Sequence, residues 1–170
     1  MNNKHALVCG SSKGIGASTA IELSKLGVTI TLLARDKDSL VNVLDCLDTS
    51  KNQNHNFIIA DFDDPFKLKD TIDQHIANNP TVHILINNSG GPKPGPIVDA
   101  NVEDFISAFN RHLICNHILV QAVVPKMKEA RFGRIINITS TSVKQPIKGL
   151  GISNTIRGAV ANWAKTLSFE

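Results

Sequence analysis

The sequence predicts an α/β protein built on a single doubly wound parallel sheet. Short apolar segments alternate with amphipathic segments along the chain, and a glycine-rich stretch follows the first apolar segment. Apolar segments of strand length that lack alternating polar residues are typical of strands buried on both faces of a parallel sheet. Strands that alternate with crossover helices form such a sheet through right-handed connections. We therefore expect one Rossmann-type domain over residues 1–170, with strand order 3-2-1-4-5.

The first half of the chain contains three strand–helix units. Gly27 follows the first helical pattern and ends it, as a glycine just after a helix does. Pro65 fits the first turn of the third helix, where its missing N–H costs nothing. The predicted elements are a strand at 5–12, a helix whose apolar face carries Ile15, Thr19, Ile21, Leu23 and Leu26, a strand at 28–35, a helix at 36–50, a strand at 56–62 and a helix at 64–79.

The second half begins with a strand and a proline-rich loop. The strand "VHILINNSGG" (82–91) runs into "PKPGPIVDA" (92–100), which contains too much proline and glycine for regular structure. Asn101 with Asp104 is typical of a capped helix start. The remaining predicted elements are a helix from 101 to about 129 with Phe105, Phe109, Leu113 and Val120 buried, a strand at 133–140, and a helix at 153–168 striped by Ile156, Ala159, Val160, Trp163 and Leu167.

The last predicted helix should lead into another strand, but the sequence stops at "KTLSFE". The fifth strand would then be an exposed apolar edge, which natural proteins avoid because unpaired edges promote aggregation. We therefore expect the sheet to be truncated after the helix that follows strand 5, and a covering segment to lie outside this sequence.

Composition excludes several classes of function. The chain has 42% apolar and 19% charged residues and a net charge of +3, with no basic run that would indicate nucleic-acid binding. The sequence shows no signal peptide and no apolar segment of the roughly 18 residues that suggest a membrane span. Cys9, Cys46 and Cys115 lack CxxC spacing, and the histidines lack metal spacing. These features predict a cytoplasmic protein with reduced thiols and no metal.

The glycine-rich stretch "CGSSKGIG" (9–16) lies between the first strand and its helix. Glycines allow the backbone to approach a ligand closely, and the free N–H groups and dipole of a helix N-terminus attract negative charge. A phosphate site is therefore the functional interpretation of this turn. A tight strand–helix connection without a ligand is the alternative.

Three motifs in this order resemble the short-chain dehydrogenase/reductase family. They are "CGSSKGIG", "NNSG" (87–90), where the family has Asn-Asn-Ala-Gly, and "GRIINITS" (133–140). "NNSGGPKPGPI" and "SNTIRGAV" (153–160) further resemble an atypical β-ketoacyl-ACP-reductase-like branch. The resemblance implies a nicotinamide dinucleotide bound by Gly10, Ser12, Lys13, Gly14, Ile15, Gly16, Asp61, Phe62, Asn87, Ser89 and Gly90, with Asp61 at the adenine and 87–90 lining the crevice.

Charge at the end of the second strand favours NADP over NAD. An acidic residue there would bind the 2′-hydroxyl of NAD and repel a 2′-phosphate. This position falls on Ala34, which is followed by Arg35, and Lys13 adds a second cation. Asp36 is expected to begin the next helix rather than to oppose them. The alternative is that Arg35 is only a solvated charge at the strand end.

The family resemblance implies an Asn-Ser-Tyr-Lys catalytic tetrad, of which this chain retains one member. Ser140 matches the serine, whereas Ser153 stands where tyrosine is expected and Arg157 stands at the lysine position. Ungapped alignment places His112 where asparagine belongs, although Asn110 and Asn116 lie near. The chain contains no tyrosine. An aliphatic hydroxyl is a much weaker acid than a phenol, and arginine cannot relay a proton as lysine can.

Two functions remain open from the sequence. The first is an NADP-dependent oxidoreductase of altered mechanism, 3-oxoacyl-reductase-like, acting on a small or acyl-chain carbonyl, with His112 or water as the proton source. The second is a catalytically silent NADP(H)-binding protein that acts as a sensor or an assembly subunit. The resemblance also implies a homo-oligomer, dimer or tetramer, packed through the 101–129 and 153–168 helices, although burial within one chain explains their apolar faces equally well.

Overall fold

The structure, a computed structural model, describes residues 1–78 and 81–170 and confirms the predicted fold class. Five parallel strands form one sheet with the predicted order β3-β2-β1-β4-β5. The order reverses direction between β1 and β4, which is where doubly wound sheets bind ligands. The strands are β1 (His5–Cys9), β2 (Thr29–Ala34), β3 (Asn56–Ile59), β4 (Ile84–Asn87) and β5 (Arg134–Asn137).

Helices cover both faces of this sheet. Gly27 has a φ of 85°, as predicted for the residue that ends the first helix, and Pro65 opens the third helix. The last residue of the helix predicted at 64–79 lies outside the described residues. The helices are α1 (Gly14–Lys25), α2 (Lys37–Leu44), α3 (Pro65–Asn78), α4 (Val102–Phe109), α5 (Cys115–Glu129) and α6 (Gly151–Leu167), with 3₁₀ turns at Ile97–Asp99 and Thr141–Val143.

Two apolar cores lie on opposite faces of the sheet. Neighbouring residues along a strand point to opposite faces, so Leu7 belongs to one core and Val8 to the other. The core with Leu7 is closed by α3 and α5, and the core with Val8 by α1 and α2. Because both faces are covered, the central strands show the uninterrupted apolar sequence from which they were predicted.

The predicted apolar face of α1 is only partly correct. Ile15 and Leu26 are 59% and 52% exposed. The buried face is formed instead by small side chains, Gly16, Ala17, Ala20 and Ser24. Small residues let the helix axis approach β1 and β2 closely. Ile21 and Leu23 of the predicted face are partly buried and pack against this core, whereas Ile15 faces the cavity described below.

The predicted helix at 101–129 is interrupted. A π-helical turn, Asn110–Ile114, separates α4 from α5. Such turns insert a residue into the helix and change which side chains face the interior. His112 is 2% exposed as a result, whereas Phe109, which was predicted to be buried, is 41% exposed.

The fifth strand lies at the edge of the described sheet, as expected. Ile136 on β5 is 48% exposed. Within residues 1–78 and 81–170, no helix combines the length and apolar character that crossing a membrane requires.

Candidate functional site

A cavity of about 330 Å³ opens at the carboxyl ends of β1, β2 and β4. It brings together nine of the twelve residues predicted to bind a cofactor: Gly10, Ser12, Lys13, Ile15, Arg35, Asp61, Phe62, Ser89 and Gly90. Its walls also include Asn88, which belongs to the predicted 87–90 segment, Ala34 at the end of β2, and three residues that the sequence reasoning missed: Leu33, Ala60 and Arg111. The volume is within the range of about 300–1,000 Å³ that small-molecule sites occupy.

The glycine-rich turn forms one wall of the cavity, and two of its glycines are required by geometry. Gly10 has a φ of 57°, which disfavours any residue with a side chain. A Cβ added to Gly16 would lie 2.3 Å from the carbonyl oxygen of Gly10. Gly16 does not line the cavity. Its missing Cβ allows the start of α1 to pack against the turn. The first N–H groups of α1 have no acceptor within the helix.

Hydrogen bonds to two neighbouring segments, β2 and the residue after β4, hold this turn in place. The Ser11 hydroxyl accepts a hydrogen bond from the Leu33 N–H at 2.9 Å and donates to the Leu33 carbonyl at 3.4 Å. The Asn88 amide donates to the carbonyls of Cys9 and Gly10, both at 3.2 Å. The backbone of the turn is thereby fixed before any ligand binds.

Asn87 does not line the crevice, which corrects the expectation for the 87–90 segment. Its side chain is 1% exposed, and its Nδ2 donates to Oδ1 of Asn137 at 2.8 Å, which links β4 to β5. Side chains alternate across a strand, so Asn87 points into the sheet interior and Asn88 points to the turn. Strand alternation was the signal that could have separated the two asparagines.

The rim of the cavity carries opposite charges in close contact. The Arg35 guanidinium is 71% exposed and lies 3.8 Å from carboxylate oxygens of both Asp61 and Asp63. Arg111 donates from Nε to Asp63 at 3.0 Å. Asp36 instead caps α2 by accepting from the Ser39 N–H at 2.7 Å, a bond that lowers the pKa of its carboxyl group. The prediction that Asp36 begins the second helix is therefore confirmed.

The predicted catalytic residues lie where β5 leads into α6. The Ser140 hydroxyl accepts from the Ser142 N–H at 3.1 Å and so caps the 3₁₀ turn after β5. Ser153 is half-buried in the first turn of α6, and Arg157 follows one turn later. Nη1 of Arg157 donates to the Ile138 carbonyl at 2.6 Å, just beyond the end of β5.

His112 is buried, and Arg157 is partly buried. Burial and the positive charges of Arg157 and Arg111 lower the pKa of His112 to about 3. The imidazole is therefore neutral at physiological pH, which argues against the hypothesis that His112 protonates a substrate. Burial also lowers the pKa of Arg157, but a guanidinium remains charged in proteins. Nδ1 of His112 lies 2.8 Å from the Ser89 hydroxyl.

Among the described residues, no cluster of three His, Cys, Asp or Glu side chains could hold a metal ion. The cavity instead presents a glycine cradle, hydroxyl groups and cations, which are suited to a phosphate-bearing ligand.

The model of the short chain dehydrogenase family matches residues 4–170. The chain belongs to this family of oxidoreductases. Among curated relatives, it is 30% identical to an NADPH-dependent aldehyde reductase-like protein of Arabidopsis thaliana over 97% of this chain and 66% of that one. It is 24% identical to the NADPH-dependent reductase BacG of Bacillus subtilis over 100% of this chain and 66% of that one.

Solved structures of the family share the fold. The L-sorbose reductase from Gluconobacter frateurii, complexed with NADPH and L-sorbose, matches 99% of this chain and 64% of its own with 26% identity and a TM-score of 0.92. A 3-oxoacyl (acyl-carrier-protein) reductase from Agrobacterium tumefaciens with NADP bound shares the fold with a TM-score of 0.88 at 23% identity, over 98% of this chain and 64% of its own. Among the curated relatives, the chain spans from about half to about two thirds of the length of the matching protein.

Family membership supports a nicotinamide dinucleotide as the cofactor. The glycine cradle fits this group, because only a residue without a Cβ fits at Gly16 and the N–H groups at a helix N-terminus suit a phosphate. Gly10 and Ser12 would lie against its phosphates, and Asp61 and Phe62 against its adenine.

Proposed function

We propose that this chain is the nucleotide-binding part of an NADP-dependent oxidoreductase that transfers hydride to or from the carbonyl or alcohol of a small or acyl-chain substrate. The observation that carries the proposal is the intact glycine cradle, held by Ser11 and Asn88, beside the cavity that Arg35 and Lys13 border. The names of two relatives, an aldehyde reductase-like protein and BacG, refer to NADPH dependence, which supports the same cofactor here.

The preference for NADP rests on the cations at the end of β2. The ion pairs of Arg35 with Asp61 and Asp63 are long and exposed, and exposed pairs of this kind contribute little free energy. A 2′-phosphate carries more charge than a carboxylate and accepts the planar fork of a guanidinium in a bidentate contact. Arg35 is therefore expected to exchange its carboxylate partners for the 2′-phosphate.

Arg35→Ser should weaken NADPH binding about tenfold and change NADH binding less than about twofold, because only NADPH carries the phosphate that Arg35 would bind. Calorimetric titration of both dinucleotides measures this selectivity. Lys165→Ser, which removes an exposed cation near the end of α6, is the matched control. Equal losses of NADPH and NADH affinity in Arg35→Ser would leave Arg35 without a role in choosing the cofactor.

The residues around the expected substrate position can polarise a substrate carbonyl, but they do not include a conventional acid that could protonate it. The bound dinucleotide would supply or accept the hydride. Ser140 and Ser153 offer hydroxyl donors to a substrate oxygen, and Arg157 adds a fixed positive charge near the end of β5. Because His112 is neutral and arginine keeps its proton, we assign the proton to solvent water admitted to the site.

An assay of NADPH oxidation by the intact protein against ketoacyl and diketone substrates tests the proposal. Turnover that falls at least about a hundredfold in Ser140→Ala and in Arg157→Ala, with NADPH still bound by Ser140→Ala, is the expected result. Ser168→Ala, at the exposed end of α6, serves as the control. NADPH binding without turnover of any substrate would contradict the enzyme proposal.

The second candidate is a catalytically silent NADP(H)-binding protein that acts as a sensor or an assembly subunit. One observation favours it: among the described residues of the site, no side chain is an acid of suitable strength, because Ser153 replaces tyrosine and His112 is neutral. The same assay separates this candidate from the enzyme.

Assembly into a homo-oligomer and a cytoplasmic location are further parts of the proposal. Val102, Ile106 and Phe109 recur along one side of α4 and are 67%, 56% and 41% exposed. An exposed apolar stripe of this kind is typical of a surface that another chain covers.

A further inference from the structure

Arg111, on the π-helical turn, lines the cavity together with the predicted cations Lys13 and Arg35. Its side chain is 25% exposed, whereas that of Arg35 is 71% exposed. The proposed function assigns Lys13 and Arg35 to phosphates of the cofactor and gives Arg111 no role. The contacts of Arg111 point to Asp63, which follows Phe62 of the cavity wall.

The two carboxylate oxygens of Asp63 have different partners. Oδ1 accepts from Nε of Arg111 at 3.0 Å and from its Nη2, and the Ser107 hydroxyl donates to the same oxygen at 3.4 Å. Oδ2 lies 3.8 Å from Nη1 of Arg35, which is longer than a hydrogen bond. Asp63 is therefore held by Arg111, whereas Arg35 is only near it.

The charges at this rim nearly balance. Arg35 lies 3.8 Å from a carboxylate oxygen of Asp61 as well as from Asp63, and the Asp63 N–H donates to the other oxygen of Asp61 at 3.1 Å. Both carboxylates attract Arg35 and repel an incoming phosphate. Three cations, Lys13, Arg35 and Arg111, face these two carboxylates, so the rim would have no net positive charge without Arg111.

We propose that Arg111 determines cofactor specificity through Asp63: it occupies the carboxylate, which leaves Arg35 available to bind the 2′-phosphate of NADP. Arg111 is thus a positioning residue. The inference rests on the proposed function, because it takes the 2′-phosphate as the anion that Arg35 binds. Two N–H groups and a hydroxyl converge on one oxygen of Asp63, and such a charge-assisted network contributes more than an isolated exposed ion pair.

Two other roles of Arg111 lead to different expectations. If Arg111 bound a phosphate directly, its loss would weaken binding to the same extent whether Asp63 is charged or neutral. If Arg111 only tied the π-helical turn to the loop after β3, its loss would weaken NADPH and NADH binding alike. Action through Asp63 predicts a loss that is confined to NADPH and that is reversed when Asp63 is made neutral.

Calorimetric titration with NADPH and NADH distinguishes the three roles. Arg111→Gln should weaken NADPH binding about fivefold and NADH binding less than about twofold. Asp63→Asn should bind NADPH at least as tightly as the wild type. The double variant should return to within about twofold of the wild-type NADPH affinity, because the two residues act on one carboxylate. Arg131→Gln, the same replacement at an exposed position after α5, is the control.

The reactivity of Arg35 reads the same competition without a cofactor. Phenylglyoxal modifies guanidinium groups, and a carboxylate partner slows the reaction because it favours the protonated form. Peptide mass spectrometry of the ligand-free protein follows Arg35 separately. Its modification should be about twofold slower in Arg111→Gln, where Asp63 is free to pair with Arg35, and at least as fast as the wild type in Asp63→Asn.

The outcomes separate this inference from the proposed function. If the wild-type protein binds neither dinucleotide, or binds both equally, the proposed NADP dependence fails, and equal Arg35 reactivity in the wild type and Arg111→Gln would also overturn the role of Arg111. If the wild type prefers NADPH, only the role of Arg111 is overturned by an Arg111→Gln protein that keeps this preference, or by a double variant that does not recover it.

Discussion

Gly16→Ala should weaken NADPH binding by at least about a hundredfold, or about 2.7 kcal/mol. The added Cβ would lie 2.3 Å from the Gly10 carbonyl oxygen and 3.0 Å from Nδ2 of Asn88. One contact is with the cradle and the other with the side chain that holds it, so the turn must move away from α1 and the N–H groups of the cradle would no longer point at one phosphate. Calorimetric titration of the folded variant with NADPH measures the loss.

Gly158→Ala is the matched control for this substitution. Gly158 lies in α6, and a Cβ there would meet no atom within 4 Å. Alanine is favoured over glycine in a helix interior by about 1 kcal/mol, so this variant should bind NADPH normally and unfold at a slightly higher temperature. A Gly16→Ala protein that binds NADPH like the wild type would show that the cofactor phosphates are held elsewhere.

The double change Ser153→Tyr with Arg157→Lys should raise NADPH-dependent turnover by about 10²–10⁴. A phenol beside a cation ionises closer to neutral pH than a phenol alone and so becomes an effective proton donor to a developing alkoxide. Lysine can also accept and release a proton, which arginine cannot. The comparison of initial rates on one carbonyl substrate measures the gain.

The two single changes make this prediction specific. Ser153→Tyr alone supplies the acid but leaves Arg157, and should give an intermediate rate. Arg157→Lys alone removes a guanidinium that donates to the Ile138 carbonyl and adds no acid, so it should lower the rate or leave it low. A double variant that binds NADPH but is no faster than the wild type would mean that position 153 does not face the substrate oxygen.

The fold was predictable from the sequence because burial on both faces of a parallel sheet produces uninterrupted apolar strands. The turn at residues 9–16 was predictable because its glycines have a geometric cause, which the positive φ of Gly10 and the close contact at Gly16 now make explicit. The end of α1 at Gly27 was predictable because a residue with positive φ, here 85°, is usually glycine.

Other features depend on contacts that no local pattern reveals. The π-helical turn that moves His112 inward and Phe109 outward adds one residue to a helix without altering its composition. Arg111 lines the cavity and pairs with Asp63, which is distant in the sequence. The fully buried positions of α1 are small residues, so apolar periodicity identified Ile21 and Leu23, which pack against the core, but not the residues that lie nearest the sheet.

The catalytic roles of Ser140, Ser153 and Arg157 remain predictions. The structure places Ser140, Ser153 and Arg157 at the junction of β5 and α6. Their chemistry depends on a substrate that must sit between them and the cofactor, and the chain spans only part of the length of its relatives. Assignment of their roles therefore rests on the kinetic experiments above.

Calorimetric titration of the intact protein with NADPH and NADH tests the central claim most directly. The cradle at residues 10–16, with Lys13 and Arg35 at its rim, predicts saturable one-to-one binding of both dinucleotides and a clear preference for the one with the additional phosphate. A folded protein that takes up neither dinucleotide would contradict the account, and the enzyme and the silent-binder proposals would fail together.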